Sequence, residues 1–260
     1  MSAETILVQH DGHIATVVLN RPEKLNALTK SMWQHLGEVF DGLSADDTIR
    51  CIVIRGAGTK SFAPGNDISE FETERSNAEQ ARAYGRIMHR TIDAIASCRH
   101  PVVAMIHGIC VGGGLEIAGL ADIRICGESS RFGAPIKNLG LVMAYGEIGA
   151  LISLAGRAAA MEILLEGRVF GATEAKDKGL VTRVVPDDRV EAEALASARM
   201  IADGAPLVAR WHKKFIRRLR DSQPLTAAES QECFDCFETE DFQIGYRAFL
   251  AKQKPHFHGR

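Results

Sequence analysis

The stretch VGGGLE, residues 111–116, decides how this chain is interpreted. It follows an apolar run rich in β-branched residues at 102–107 (VVAMIH) and places three glycines at the start of a predicted helix, with Glu116 one turn later. Glycine costs about 1 kcal/mol per residue inside a helix, so three in succession need a specific reason.

Three explanations compete for these glycines. A phosphate-binding loop is disfavoured, because Gly114 and Leu115 stand where lysine and serine or threonine are needed and the Glu116 carboxylate would repel a phosphate. Close helix packing explains one glycine more readily than three. An anion hole explains the glycines and the acid together, since unpaired N–H groups at a helix N-terminus stabilise a developing oxyanion while Glu116 transfers a proton. We favour the anion hole.

A second loop is expected to complete this hole, because oxyanion holes normally contain two N–H donors. The segment FAPGNDI, residues 62–68, follows another predicted core strand. Its Pro64-Gly65 turn is placed to expose the N–H of Asn66. In the same loop, Asp67 and Glu70 are expected to organise the turn and cap a short helix.

Composition predicts a globular protein of an ordinary kind. The chain has 260 residues, 46% of them apolar and 25% charged, with a net charge of −2, which gives no attraction to nucleic acid or anionic membranes. A basic segment at 210–220 (RWHKKFIRRLR) is balanced by acids at 229–241 and predicts a solvated or intersubunit helix face. We expect no export signal, no membrane-spanning segment, no metal site and a cytoplasmic location.

Predicted elements alternate along most of the chain. Asp11-Gly12 indicates a hairpin, 49–56 and 102–107 are predicted strands, and 77–98 is a predicted helix. Strand–loop–helix units continue to 179–186, and only helices are predicted after Asp187. The pattern indicates an α/β body at 1–200 and a helical C-terminal region at 201–260.

Five blocks occur in the order and spacing of a known family, and the chain resembles the crotonase superfamily of enoyl-CoA hydratases and isomerases. The blocks are LNRPEKLNALT (19–29), KSFAPGNDI (60–68), PVVAMIHGICVGGGLEIAGLADIRI (101–125), RFGAP (131–135) and EAKDKGLVTRVVP (174–186). The resemblance covers nearly the whole chain, and the long middle block is its most specific part. It implies a crotonase-like α/β spiral of ββα units with a C-terminal helical trimerisation region, assembled as a homotrimer or a homohexamer.

The resemblance also implies the site. An acyl-CoA thioester would bind with its carbonyl oxygen on the N–H groups of Asn66 and Gly113, and Glu116 would act as acid and base on the enolate. No separate cofactor is implied, since CoA arrives as part of the substrate. The candidate contacts to substrate and CoA are Lys24, Ala63, Gly65, Asp67, Ile68, Gly112, Ile136, Tyr145, Phe249 and Lys252, the last two reaching over from a neighbouring subunit.

One position departs from the hydratase pattern. Hydratases of the superfamily hold one water with two glutamates, and Ile136 stands where the second is expected after FGAP. The glycine-rich signature that should follow is replaced by AYGEIGALI, residues 144–152, in which Glu147 is the candidate substitute or simply a helix-start acid. Asn138 and Tyr145 are polar alternatives that would hold a substrate group.

The departure shifts the expected reaction towards an enoyl-CoA isomerase or a modified hydratase, because an apolar isoleucine cannot polarise water. Lyase, hydrolase or decarboxylase chemistry on the same scaffold ranks after these two reactions. A non-catalytic acyl-CoA-binding protein is the alternative of a different class.

Overall fold

The computed structural model describes residues 4–260, so the first three residues of the N-terminal stretch in which we expect no export signal lie outside it. Its regular elements alternate along the chain as the sequence predicts. The strands are β1 (Ile6–Asp11), β2 (Ile14–Leu19), β3 (Cys51–Gly56), β4 (Ser61–Ala63), β5 (Val102–Ile106), β6 (Ile109–Val111), β7 (Ile123–Gly127), β8 (Arg131–Gly133), β9 (Phe170–Gly171) and β10 (Arg183–Val185). The helices are α1 (Lys30–Ala45), α2 (Phe71–Glu74), α3 (Ala78–Ser97), α4 (Gly113–Leu120), α5 (Tyr145–Glu166), α6 (Ala172–Asp177), α7 (Val190–Ala202), α8 (Pro206–Arg218), α9 (Ala227–Gln231) and α10 (Glu240–Leu250).

The strands form two sheets that the chain visits in turn. The larger sheet has the order β1-β2-β3-β5-β7-β10, and the smaller has the order β4-β6-β8-β9. Each turn of the chain adds a strand to the larger sheet, then one to the smaller sheet, then a helix, as in β3–β4–α3 and β5–β6–α4. Successive strands within each sheet are mostly parallel. The predicted spiral of ββα units is confirmed.

The core lies between the sheets and the helices. Strand β5 is buried along its whole length, as expected for a parallel strand covered on both faces. Helices α1 and α3 pack against each other over one core, and α7 covers the outer face of the larger sheet, where Val190, Ala194 and Ala198 are buried. Thr29 caps α1, because its side chain accepts a hydrogen bond from the Met32 N–H at the start of the helix.

The C-terminal helices begin near the predicted boundary at residue 201, with α7 ending at Ala202 and α8 starting at Pro206. The basic charges of α8 are largely used inside the chain. Lys213 donates to the His100 carbonyl oxygen at 2.8 Å and pairs with Asp122 at 2.8 Å, and Arg217 donates to the Ala96 carbonyl oxygen at 2.9 Å. The basic segment therefore anchors this region to the α/β body.

Among the described residues, helix α5 is the one helix that is long and apolar enough to cross a membrane by length and composition. Its 22 residues, Tyr145–Glu166, contain a window of mean hydropathy 1.7, of which 17% is buried. The backbone at Gly156 is non-helical (φ 78°, ψ 164°), so the apolar stretch is divided into two shorter helices by a kink. Each part is shorter than the roughly 20 residues that a spanning helix needs.

Helix α4 packs so closely on β4 that Gly114 has no room for a side chain. A methyl group added there would lie 2.1 Å from the Ala63 carbonyl oxygen. We predict that Gly114→Ala lowers the free energy of unfolding by at least about 2 kcal/mol, because overpacking of a closely packed site costs about 1–3 kcal/mol and backbone must move here.

The matched control is Gly42→Ala on the exposed side of α1, where an added methyl group meets nothing within 4 Å. That change should raise stability by up to about 1 kcal/mol through helix propensity. Denaturant titration measures both variants. Wild-type stability in Gly114→Ala would contradict the close approach of α4 and β4.

Candidate active site

Two glycine turns of the same kind meet at the centre of the molecule. Gly65, after β4, has φ 109°, and Gly112, after β6, has φ 53°, both in the region that favours glycine. Each precedes one of the two expected donors, Asn66 and Gly113. The turns are in contact, since a Cβ on Gly65 would lie 3.2 Å from the Gly113 nitrogen.

The N–H groups of Asn66 and Gly113 are left outside regular hydrogen bonding. Leu28 pairs with this loop by donating to the Gly65 carbonyl at 2.9 Å and accepting from the Asp67 N–H at 2.8 Å, which leaves the intervening Asn66 N–H out of the pairing. Gly113 is the first residue of α4, so its N–H has no partner within the helix. The arrangement suits two donors to one oxygen atom.

Trp33 contacts both donor residues, Asn66 and Gly113, and the sequence did not indicate this role. Its fully buried indole donates from Nε1 to the Asn66 side-chain oxygen Oδ1 at 2.6 Å. The same ring lies against Gly113, where an added Cβ would be 3.1 Å from the Trp33 Cζ2 atom. The sequence shows Trp33 only as an apolar residue of the helix that follows LNRPEKLNALT. Its hydrogen-bond partner, Asn66, lies 33 residues further along the chain, so the contact could not be read from neighbouring residues.

The three glycines of VGGGLE therefore have three different reasons. Gly112 supplies a left-handed turn, Gly113 brings an N–H close to Trp33 and Gly65, and Gly114 allows the close packing of α4 on β4. The anion-hole and packing explanations each account for part of the motif.

Glu116 lies one turn into α4, and its Oε2 atom is buried with no hydrogen-bond partner among the described residues. The pKa of Glu116 is raised from 4.5 to about 8, first by burial and then by the negative charge of Glu147, against an opposing effect of Arg75. At neutral pH this carboxyl group is mostly protonated, so it can give up a proton and recover it.

Glu147 lines the same cavity, and each of its two carboxylate oxygens has a different polar neighbour. As a helix-start acid its Oε2 accepts from the Ala144 N–H at 2.8 Å, closing the first turn of α5. Its other oxygen lies 3.7 Å from Nε2 of His89, and its side chain is only 9% exposed. The two interpretations of Glu147 from sequence are thus compatible.

A cavity of about 1100 Å³ joins these groups. Ile136 lies in its wall, half-buried in the short 3₁₀ turn Pro135–Leu139, so the wall is apolar where a second glutamate was expected. The candidate residues that line the cavity are Gly65, Asn66, Asp67, Ile68, Gly112, Gly113, Glu116, Ile136 and Glu147, together with Asn138.

Asp67 has the organising role expected from sequence. Its carboxylate accepts from the Ser69 N–H at 3.1 Å and pairs with Arg21 at 3.0 Å, and the Ser69 hydrogen bonds are the main reason that its pKa is lowered. Glu70, the other acid of this loop, instead accepts from the Lys30 N–H at 2.8 Å at the start of α1.

The remaining candidates lie outside the cavity lining within this single chain. Ala63 is fully buried in β4, Lys24 is exposed, and Tyr145 is 95% exposed at the start of α5. Phe249 is 82% exposed at the end of α10, followed by the exposed Lys252. Tyr145 therefore does not face the cavity in this chain, because the first turn of α5 directs Glu147 inward instead.

One face of α3 lines the cavity and was not predicted to do so. The helix contributes three polar or charged side chains to the cavity wall, those of Arg82, Arg86 and His89. Its other lining residues are apolar or small: Ala78, Ala81, Gly85 and Met88. Their spacing of three and four residues is the available sequence signal. Within residues 4–260, no cluster of three or more His, Cys, Asp or Glu side chains is placed to hold a metal ion.

The two-sheet spiral with paired glycine turns defines a crotonase-type fold, and comparison with known proteins gives the family. The family model described as enoyl-CoA hydratase/isomerase matches residues 9–260. A solved structure from Magnetospirillum magneticum, described as an enoyl-CoA hydratase/carnithine racemase, has 51% identity and a TM-score of 0.98, covering 100% of this chain and 97% of that one.

Curated relatives agree over their full lengths. "Probable enoyl-CoA hydratase" of Rhizobium meliloti (strain 1021) is 36% identical, with 100% of both chains covered. "Short-chain-enoyl-CoA hydratase" of Clostridium acetobutylicum is 32% identical, with 98% of this chain and 97% of the relative covered. The chain belongs to the enoyl-CoA hydratase/isomerase family.

The raised pKa of Glu116 predicts a particular pH dependence of stability. Between about pH 4.5 and pH 8 the folded chain holds a proton that the unfolded chain has released, so the contribution of Glu116 to stability falls as pH rises through this range. Glu116→Gln removes this loss. We predict that the variant gains in melting temperature relative to wild type between pH 5 and pH 8.

Thermal unfolding of both proteins across this range measures the effect. The control is Glu128→Gln, an exposed glutamate outside the cavity. A difference between wild type and Glu116→Gln that does not change with pH would contradict the raised pKa.

Proposed function

We propose that this chain catalyses proton transfer on enoyl-CoA thioesters through an enolate, acting as a modified enoyl-CoA hydratase. The thioester carbonyl oxygen would accept from the N–H groups of Asn66 and Gly113, and Glu116 would exchange a proton with the acyl chain. The observation that carries the proposal is the buried and unpaired carboxyl oxygen of Glu116, in the same cavity as these two donors, where burial raises the pKa of the carboxyl group.

The paired donors supply the larger share of the chemistry. Each positioned oxyanion donor contributes about 10²–10³ in rate, because it is already oriented towards the charge that develops on the oxygen. Proton transfer by a positioned acid or base adds about 10²–10⁴. The Trp33 hydrogen bond to Asn66 supports the first contribution by holding the donor loop in place.

Glu147 is the proposed second acid–base group. It would take over the role of the second hydratase glutamate, whose sequence position is occupied here by Ile136. It lines the same cavity as Glu116, and its charge acts on Glu116. One of its oxygens is engaged by the Ala144 N–H, and the other is available towards the cavity beside His89. A carboxylate in this position could activate a water molecule for addition to the double bond.

Double-bond isomerisation is the second candidate, and Ile136 favours it. An isoleucine side chain in the cavity wall disfavours a bound water next to the acyl chain. One carboxyl group that removes a proton from one carbon and returns it to another is sufficient for isomerisation.

Two variants separate these reactions. We predict that Glu116→Gln abolishes exchange of the thioester α-proton with deuterated water while affinity for the CoA ester stays within a few-fold. Glu147→Gln should lower crotonyl-CoA hydration by about 10²–10⁴ if it is the second acid–base group. Exchange is followed by mass spectrometry and hydration by the loss of enoyl thioester absorbance, with Glu128→Gln as control.

The outcomes differ for each proposal. Unchanged exchange in Glu116→Gln would show that another group is the base. Hydration that survives Glu147→Gln at the wild-type rate would remove Glu147 from the mechanism. A wild-type enzyme that exchanges protons without hydrating would favour isomerisation, and binding without exchange would favour an acyl-CoA-binding protein.

A third variant tests the wall of the cavity. Ile136→Glu restores a carboxylate where hydratases of the family have one, so crotonyl-CoA hydration should rise by tenfold or more if the cavity is otherwise of the hydratase type. Ile136→Gln, similar in size and unable to act as a base, is the control. No gain in a folded variant that still binds the ester would mean that the 135–139 turn presents this position differently.

We also propose that the chain works in the cytoplasm as a homotrimer or as a dimer of trimers. Apolar side chains along the C-terminal helices support an oligomer, since they are 57–82% exposed in the single chain: Ile216, Leu219, Phe234, Phe249 and Leu250. Solvent exposure of so many large apolar groups in one region is typical of a surface that another subunit covers.

A further inference from the structure

Three arginines line the active-site cavity without an acidic partner. Arg75, Arg82 and Arg86 all lie in the cavity wall, and within residues 4–260 none has a carboxylate within 4.0 Å of a guanidinium nitrogen. Arg90, which lies on α3 with Arg82 and Arg86 but outside the cavity, pairs with Asp41 at 3.4 Å. These three guanidinium groups therefore lie in the cavity wall without a direct ion pair to a carboxylate.

Arg75 is the most constrained of the three. Its guanidinium carbon lies 4.7 Å from the centre of the Phe71 ring and 4.9 Å from the centre of the Tyr84 ring. Tyr84 is itself fixed by its hydroxyl donating to Glu70 at 3.1 Å. Two aromatic faces thus hold the guanidinium in one place.

The guanidinium of Arg75 is incompletely satisfied. Its Nη1 atom is out of solvent contact and has no hydrogen-bond partner among the described residues. A buried donor without a partner is unfavourable, and for a charged group the cost is larger than for a neutral one. Arg75 as a whole is only half-buried and lines the cavity, so an incoming carboxylate would pair with the part of the guanidinium that is open to the cavity, in the bidentate geometry that the two groups favour.

The position of Arg75 indicates which part of the substrate would carry this carboxylate. Arg75 lies close enough to Glu116 for its charge to oppose the rise in the Glu116 pKa, whereas Arg82 and Arg86 have no such effect. Glu116 is the group proposed to act on the acyl chain beyond the thioester carbonyl. An anionic group at Arg75 would therefore belong to the acyl chain.

We propose that Arg75 binds a carboxylate at the far end of the acyl chain, so that the preferred substrates are CoA thioesters of unsaturated dicarboxylic acids. This inference rests on the proposed function, because it uses the same placement of the thioester carbonyl at Asn66 and Gly113. Arg82 and Arg86, exposed on the same wall, would attract the anion towards the cavity.

The test compares two esters that differ by one carboxylate, crotonyl-CoA and glutaconyl-CoA. The wild-type enzyme should favour glutaconyl-CoA by tenfold or more in kcat/KM and in affinity, as expected for a charge-assisted bidentate pair. Arg75→Gln should reduce that preference at least tenfold. Arg75→Lys should restore part of it, because lysine keeps the charge and loses the bidentate geometry.

Arg90→Gln is the control, since it removes an arginine that is already paired with Asp41 and lies outside the cavity, and its preference should equal that of wild type. A wild-type enzyme that does not distinguish the two esters would overturn the proposal. Equal losses for both esters in Arg75→Gln would also overturn it, by giving Arg75 a role unrelated to the distal carboxylate.

Affinity measurements keep this inference separate from the proposed function. If neither ester is turned over but glutaconyl-CoA binds more tightly in an Arg75-dependent manner, the inference stands and the proposed reaction fails. A phosphate of CoA presents similar anionic oxygens, so both esters are also measured with dephospho-CoA. Loss of the Arg75 effect there would assign Arg75 to the CoA phosphate and overturn the proposal.

Discussion

The contact between the Gly65 and Gly112 turns is the constraint on which the rest of the site depends. Each turn needs a backbone conformation that glycine favours, and each precedes one of the two proposed donors, Asn66 and Gly113. Gly65 follows β4 and Gly112 follows β6. The two proposed donors therefore keep their separation only while these two strands remain paired. Trp33 secures this arrangement by contacting both donor segments with one buried ring.

Three effects act on the pKa of Glu116, the proposed acid–base group. Burial and the neighbouring Glu147 favour the protonated carboxyl group, while Arg75 favours the carboxylate. The opposing effects place its pKa near physiological pH, where a group can both release and accept a proton at useful rates. A carboxylate bound beside Arg75 would offset that positive charge, so the nature of the acyl chain would influence the acidity of the catalytic group.

Local features were predictable from sequence, and features that depend on distant contacts were not. Thr29 as a helix cap and Gly112 as a turn residue follow from neighbours in the chain, and the family blocks gave the spiral. The pairing of Trp33 with Asn66 and the orientation of Arg75 depend on segments that meet only after folding. Tyr145 shows the same limit, because residues two apart on a helix point to nearly opposite sides and the orientation of α5 decides which of Tyr145 and Glu147 faces the cavity.

The two proposed carbonyl donors and the cavity wall at Ile136 come from different turns of the spiral. Two successive turns of the chain, β3–β4 and β5–β6, supply Asn66 and Gly113, whereas the next turn supplies Ile136 and the start of α5. Changes in that third turn can alter the wall facing the acyl chain while the contact between the glycine turns is preserved. A fold wound in this way allows the wall of the cavity to change in one turn of the chain while the two glycine turns in the others are retained.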